Sequence, residues 1–130
     1  MTNVNLKITL PYPINIVWNI VTDLKNATWR SDLDHIEIID SHTFIEYTKD
    51  HFATTFTITT IEPMKRYEFD MDNENMHGHW IGLFHGNETE TTLDFTECVD
   101  VKKMMMKPFV KGYLKKQQQT YISDLEKALR

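Results

Sequence analysis

The feature of this chain that most restricts its fold is the order of two hydrophobic patterns. Between residues 33 and 101, apolar and polar residues alternate in one short segment after another, as they do in β-strands. Residues 102–130 instead place apolar residues three or four positions apart, which is typical of an amphipathic helix. Because a sheet must cover its apolar face, and only this helix is long enough to cover it, the order predicts an α+β fold.

The sheet is expected to be antiparallel and curved, because short turns rather than long crossovers separate its strands. One more strand precedes these segments, and Pro13 follows it at a position typical of a helix start. One or two short helices then lead into the strand-rich region. No repeat, low-complexity tract or linker divides the chain, so residues 1–130 are predicted to form a single domain. The predicted strands are residues 3–10, 36–39, 44–48, 52–61, 65–72, 76–84 and 91–99.

The inward face of the C-terminal helix is not uniformly apolar. Helical spacing places Gln117 near its middle, where a close-packed core would have an apolar residue. The pattern therefore predicts that the helix closes over a cavity and that Gln117 faces this cavity. Pro108 either marks the true start of the helix or kinks it after one turn, which would leave Met104–Met106 as an apolar lip. The other predicted inward residues are Phe109, Val110, Tyr113, Leu114, Tyr121, Leu125 and Ala128.

Composition and charge narrow the range of partners. The apolar content of 41% is that of a globular protein, and no stretch is apolar enough to span a membrane, so we expect no membrane insertion. The start of the chain lacks a signal-peptide pattern and Cys98 has no disulfide partner, which favours a cytoplasmic location. Residues 1–101 are acidic and residues 102–130 are basic within a net charge of −5. Because the acidic part would repel phosphates, we expect no nucleic acid partner.

Strand alternation indicates which side chains line the cavity. In the last strand, Glu97 shares the apolar side of Phe95 and must face inward with it. In the strand before it, Trp80 suits an inner aromatic cluster, which leaves Ile81 and Leu83 on the outer face as a candidate contact for a homodimer. The same alternation assigns Phe56, Tyr67 and Phe69 to the inner surface.

Glu97 is the main candidate for chemistry. A carboxyl on the wall of an apolar cavity loses hydration, which raises its pKa unless a hydrogen-bond donor pairs with it. Such a group can act as a general acid or base, or it can hold a polar group of a ligand. The alternative is that Glu97 lies near the end of the sheet and reaches water, since inward alternation does not establish depth.

No metal or cofactor site is predicted. His77 and His79 point to the same side of a strand and could chelate a metal, but no third ligand has an assured position beside them. Cys98 has no basic neighbour that would activate its thiol. The chain also has no strained serine turn and no phosphate-binding glycine loop.

Several short motifs follow one another in a distinctive order. A Pro-x-Pro opening leads into Val17-Trp18, Trp29 precedes a strand, and Gly78-His79-Trp80 comes before a threonine-rich strand and a terminal helix. This order resembles the SRPBCC superfamily, which includes START domains, the birch-pollen allergen and polyketide cyclase/dehydrase-like proteins, in its small bacterial form. The resemblance implies a helix-grip fold, in which a curved sheet of about seven strands wraps a long helix around an apolar cavity. It also places Trp29 at the mouth of that cavity.

These observations favour a protein that binds a small hydrophobic or amphipathic molecule, such as a lipid, an aromatic metabolite or a polyketide-like compound. The first alternative is a cyclase/dehydratase- or hydrolase-type enzyme that uses Glu97 as general acid or base. The second is a protein-interaction module. The residues predicted to contact the ligand are Trp29, Phe56, Tyr67, Phe69, Trp80, Phe95, Glu97, Met105, Phe109, Tyr113 and Gln117.

Overall fold

Seven strands form one antiparallel sheet in the computed structural model, which describes residues 1–130. The elements are β1 (Thr2–Leu10), α1 (Ile14–Thr22), β2 (Leu33–Ile38), β3 (Thr43–Thr48), β4 (Ala53–Glu62), β5 (Arg66–Asp72), β6 (Met76–Gly86), β7 (Thr91–Val101), a 3₁₀ turn (Met104–Met106) and α2 (Val110–Leu129). The strand order is β1-β7-β6-β5-β4-β3-β2, so the first strand pairs with the last. The predicted α+β helix-grip fold, with a curved sheet around a long C-terminal helix, is confirmed.

Three hairpin turns share one local device that fixes the register of the sheet. Asp40, Asn73 and Asn87 each occupy the start of a turn, and each accepts hydrogen bonds from the backbone N–H groups two and three residues further on. Short Asp and Asn side chains favour this conformation because they satisfy turn donors that have no strand partner. The turns therefore set which residues of the neighbouring strands face the helix.

Two groups of buried apolar side chains hold α2 against the sheet. The larger group packs Ile122 and Leu125, in the second half of α2, against α1 and the inner face of the sheet. The smaller group joins Leu114, in the first half, to Val4 and Val99 on the neighbouring strands β1 and β7. The middle of α2 lies between these two groups, opposite the centre of the sheet. Neither helix combines the length and the apolar composition that a membrane-spanning helix requires.

The start of α2 differs from the prediction. The helix begins at Val110, two residues after Pro108, and Met104–Met106 forms a separate turn, so Pro108 marks the start rather than a kink. Proline suits this position because it has no N–H to donate within a helix. The predicted inward position of Phe109 is wrong, since this residue precedes the helix and its side chain is 73% exposed.

At the centre of α2, the inward face is also offset by one residue from the predicted one. Val110 and Leu114 are buried and set the phase of the helix, and the next position on their side is Gln118, which is 7% exposed. Gln117, which the sequence placed at the centre, is exposed. The error arose because the phase was read from Phe109, which does not belong to the helix. The polar residue at the centre of the inward face is therefore Gln118 rather than Gln117.

Candidate ligand-binding cavity

A cavity of about 180 Å³ lies between the inner face of the sheet and the middle of α2. Its lining is mostly apolar, since 21 of the 33 lining residues are hydrophobic. Strands β3 to β7 contribute one wall, the loop between α1 and β2 contributes a second, and α2 contributes the third. An apolar cavity with a few polar groups is the usual form of a small-molecule site.

Aromatic side chains form the sheet wall of the cavity. Phe69 and Trp80 lie opposite each other on β5 and β6, and their rings stack with centroids 4.7 Å apart. Phe95 follows on β7 at 4.7 Å from Trp80, and Tyr121 of α2 meets Phe95 edge to face at 6.0 Å. The wall is continuous because alternation brings one aromatic residue of each strand to the same face.

Gly82 makes room for this wall. A Cβ atom at Gly82 would lie 2.4 Å from the ring of Trp80 and 3.3 Å from the ring of Phe95. Any larger residue would therefore displace the indole that closes the middle of the wall. The predicted inward direction of Trp80 is confirmed, and both Trp80 and Phe84 are buried on the inner face.

Glu97 lies on this wall without a protein partner. It is opposite Trp80 in the β6–β7 ladder, and only 9% of it is exposed. Burial raises the pKa of Glu97 to about 7, and the negative charge of Glu46 adds to this effect, with no hydrogen bond to oppose it. The alternative position near the end of the sheet is therefore excluded. A buried carboxyl with no donor is uncommon in a protein core and marks this part of the cavity as a polar site.

A second group of charges lies at the edge of the same cavity. Arg30 donates two hydrogen bonds to Asp32, both of 3.2 Å, and one of 3.4 Å to Glu46. Its guanidinium also lies over the ring of Tyr121, 4.8 Å from the centroid. Burial opposes the charged form of Arg30, but the carboxylates of Glu46 and Asp32 outweigh it and raise its pKa above the ordinary value. Arg30 is thus permanently charged, and its hydrogen-bonding capacity is directed at protein carboxylates.

Two hydrogen bonds between the α1–β2 loop and α2 hold this group of charged residues in place. Asp124 is 6% exposed and accepts hydrogen bonds of 2.8 Å from both the backbone N–H and the hydroxyl of Ser31. Because Ser31 follows Arg30 directly, this contact fixes the loop over α2. It also brings Trp29 to Tyr121, with ring centroids 5.3 Å apart. The loop between α1 and β2 is therefore a fixed wall of the cavity.

The helix contributes three polar groups to the cavity. The side-chain Nε2 of Gln118 is buried and has no hydrogen-bond partner, which leaves a donor available to a bound molecule. One position earlier, Gln117 donates a hydrogen bond of 2.7 Å to the hydroxyl of Tyr113. Both of these residues are exposed and also line the cavity, so they lie at its opening.

Comparison with known proteins identifies the chain's relatives. The family described as polyketide cyclase/dehydrase and lipid transport matches residues 1–130. The chain belongs to this family. This assignment is consistent with the SRPBCC resemblance that its motifs indicate. A search of curated proteins finds no match to the sequence.

Solved structures of other proteins have the same fold as this family member. A conserved protein from Geobacillus kaustophilus superimposes with a TM-score of 0.85 at 14% identity, over 98% of this chain and 95% of that one. A START superfamily protein from Mycobacterium smegmatis gives 0.83 at 13% identity, over 98% and 96%. The di-domain ARO/CYC protein BexL gives 0.77 at 8% identity, over 97% of this chain and 45% of that one. At these identities the likeness establishes the fold alone.

Most of the residues expected to contact a ligand do line the cavity of this family member. Met105 and Phe109 do not, because the segment before α2 turns away from the sheet and leaves their side chains 87% and 73% exposed. Those that line the cavity are Trp29, Phe56, Tyr67, Phe69, Trp80, Phe95, Glu97, Tyr113 and Gln117. Whether they bind a ligand remains a prediction.

Sequence reasoning missed three polar residues of the site. Glu46 follows Phe44 at the spacing of strand alternation, so the inward direction of its side chain could have been read from β3. Gln118 follows Leu114 by one helical turn and needed only the correct helix phase. The sequence does not indicate that Asp124 belongs to the site, because a polar residue on a helix is usually solvated and its partner Ser31 is distant in sequence.

The two histidines considered as metal ligands are on the outer face of the sheet and have different partners. His79 lies between Glu68 and Asp70, with nitrogen–oxygen distances of 2.8 and 2.6 Å. Partial burial disfavours its charged form, but these two carboxylates outweigh that effect and raise the pKa of His79. His77 instead approaches Asp100 at 3.7 Å.

Proposed function

We propose that this protein binds a small apolar or amphipathic molecule in the cavity between the sheet and α2. The observation that supports this most directly is Glu97, a carboxyl that faces an aromatic-lined cavity without a hydrogen-bond donor from the protein. A closely packed core would exclude such a group or pair it, because an unsatisfied buried polar group costs about 1–3 kcal/mol. A ligand that donates to Glu97 and covers the aromatic wall removes this cost.

The volume of the cavity limits the size of the ligand. Typical sites for drug-sized ligands have volumes of roughly 300–1,000 Å³, whereas a cavity of about 150 Å³ can hold benzene. At about 180 Å³, this cavity suits a compound with one or two rings. Burial of such a compound supplies about 25 cal/mol for each Å² of apolar surface removed from water. A larger lipid or polyketide-like compound requires the opening at Gln117 and Tyr113 to widen.

A matched pair of variants tests this proposal. Thr54 lines the cavity, whereas the adjacent Thr55 is exposed on the opposite face of β4. We expect Thr54→Trp to fill the cavity and reduce binding of small aromatic alcohols and amines at least tenfold, and Thr55→Trp to bind as the wild type does. Native mass spectrometry of freshly purified protein and a thermal-shift screen measure this. Equal binding by both variants, or no bound mass and no thermal shift in the wild type, contradicts the proposal.

A second candidate function is catalysis by a cyclase- or dehydratase-type enzyme. The supporting observation is the pKa of about 7 at Glu97, since a general acid or base works best with a pKa near the operating pH. BexL, which carries the ARO/CYC designation, has the same fold. In this case Glu97→Gln abolishes turnover and leaves ligand binding largely intact. Full turnover in that variant excludes Glu97 as the acid or base.

A further inference from the structure

We propose that the cavity selects a ring compound that carries a positively charged amine, and that it discriminates against carboxylates. This inference rests on the proposed function and specifies its ligand class. It follows from the placement of charges around the cavity, from the pairing of Arg30 with two protein carboxylates, and from the aromatic wall beside Glu97.

The charges lining the cavity are predominantly negative. Arg30, Asp32 and Glu46 form a hydrogen-bonded cluster that contains one cation and two carboxylates, so the cluster carries a net charge of −1. Glu97 adds a second negative charge whenever it is ionised. An anionic ligand would therefore enter a low-dielectric space with a net negative charge, where like charges repel more strongly than in water.

The positive charge of Arg30 is already balanced by protein carboxylates. Its Nε and Nη2 bond to Asp32, its Nη1 bonds to Glu46, and its flat face lies on Tyr121. These contacts use three of its five N–H donors, and a ligand carboxylate on the two that remain would lie beside Asp32 and Glu46, whose negative charges repel it. The role of Arg30 is therefore to neutralise Asp32 and Glu46.

An amine has two complementary partners in the cavity. Glu97 is more than nine-tenths buried and can accept charge-assisted hydrogen bonds, which are about twice as strong as those between neutral groups. Trp80 and Phe95 flank this carboxyl on the wall, and the faces of aromatic rings attract cations.

Three compounds with the same ring and different charge test this inference. They are 2-phenylethylamine, 2-phenylethanol and phenylacetate, which are cationic, neutral and anionic at pH 8. We expect calorimetric titration of the wild type at pH 8 to show the amine binding about tenfold more tightly than the alcohol, with phenylacetate weakest. Glu97→Gln should remove the advantage of the amine over the alcohol. Glu37→Gln, an exposed glutamate on β2, is the matched control and should retain the advantage.

The advantage of the amine should also decrease at pH 6, where Glu97 becomes protonated. The tyrosines, Arg30 and Glu46 beside Glu97 do not reverse this trend. Burial raises the pKa of Tyr67 to about 12 and raises those of Tyr113 and Tyr121, so these hydroxyls stay neutral, and Arg30 stays charged. Burial also raises the pKa of Glu46 despite the charge of Arg30, so its protonation acts in the same direction as that of Glu97.

The outcomes separate this inference from the function on which it rests. Binding of the alcohol or of phenylacetate as tight as that of the amine at pH 8 overturns the selection for amines and leaves the binding function intact. An amine preference that survives Glu97→Gln shows that this carboxyl is not its cause and also overturns the inference. If none of the three compounds binds, the proposed function fails and the inference fails with it. Circular dichroism and the melting temperature of Glu97→Gln establish that the variant is folded.

Discussion

The sheet wall and the segment that leads into α2 are both rich in large apolar side chains, but they have opposite environments. Phe69, Trp80 and Phe95 pack against one another on the inner face of the sheet. Met105 and Phe109 are almost fully exposed, although they lie only a few residues from the cavity opening at Tyr113. Apolar character alone therefore does not assign a residue to the cavity. In the wall, strand register fixes the direction of each side chain, whereas the segment before α2 has no such restraint.

The largest expected change in the free energy of unfolding is for a substitution in the sheet wall. Phe95 is 3% exposed, and Phe95→Ala removes a ring that meets Trp80, Phe84 and Tyr121. We expect a loss of about 3–5 kcal/mol in the free energy of unfolding, as for other buried Phe→Ala changes. Urea denaturation measures it. A loss below about 1 kcal/mol would show that the wall is not a packed surface.

The dependence of stability on pH should show the effect of Glu97 on the wall. Its folded pKa of about 7 is above the ordinary value of 4.5, so the folded state binds the proton more tightly than the unfolded state does. The contribution of Glu97 to stability is therefore fully present below about pH 4.5 and is lost as the pH rises through about 7. The loss amounts to roughly 3 kcal/mol, from about 1.4 kcal/mol for each pKa unit.

The variant Glu97→Gln isolates this contribution. Relative to the wild type, Glu97→Gln should become more stable as the pH rises from 5 to 8, because it lacks the carboxyl that must ionise. Glu37→Gln, at an exposed position, should show no such trend. Melting temperatures across this pH range give the comparison. Parallel curves for the wild type and Glu97→Gln would contradict a buried, unpaired Glu97.

The fold and the wall were predictable from the sequence, because strand alternation has a period of two and a misplaced residue would change face. The centre of the helix was less predictable. An amphipathic helix tolerates a phase error of one residue, and Phe109 supplied a wrong starting point outside the helix. The ionic cluster of Arg30, Asp32 and Glu46 depends on a loop that meets β3 only in the folded chain. No local sequence pattern indicates that contact.

A smaller effect on stability is expected at the centre of α2, where Gln118 is buried and Gln117 is exposed. Because Nε2 of Gln118 is buried without a partner, Gln118→Leu should stabilise the protein by about 1 kcal/mol and should alter binding of polar ligands. Gln117→Leu removes only an exposed hydrogen bond to Tyr113, so stability should change by less than about 0.5 kcal/mol. Thermal unfolding of both variants measures this difference. Stabilisation by Gln117→Leu but not by Gln118→Leu would show that Gln117, rather than Gln118, lies on the inward face of α2.

The smallest effect is expected in the exposed segment. Phe109→Ala should change the free energy of unfolding by less than about 0.5 kcal/mol, and Met105→Ser should do the same, because neither side chain is packed. Neither change should alter the affinity for the ligand. Urea denaturation and calorimetric titration check both quantities. A loss of affinity in either variant would show that this segment contributes to the binding site.

Methionine methyl groups provide the most direct test that a ligand occupies the cavity. Met71 and Met76 line it, whereas Met104 and Met105 lie outside it with side chains 81% and 87% exposed. The protein can be labelled with ¹³C at its methionine methyl groups and titrated with 2-phenylethylamine at pH 8 while its NMR spectrum is recorded. We expect saturable shifts of the Met71 and Met76 signals and none for Met104 and Met105. Shifts confined to Met104 and Met105, or no saturable shift at all, would contradict this expectation.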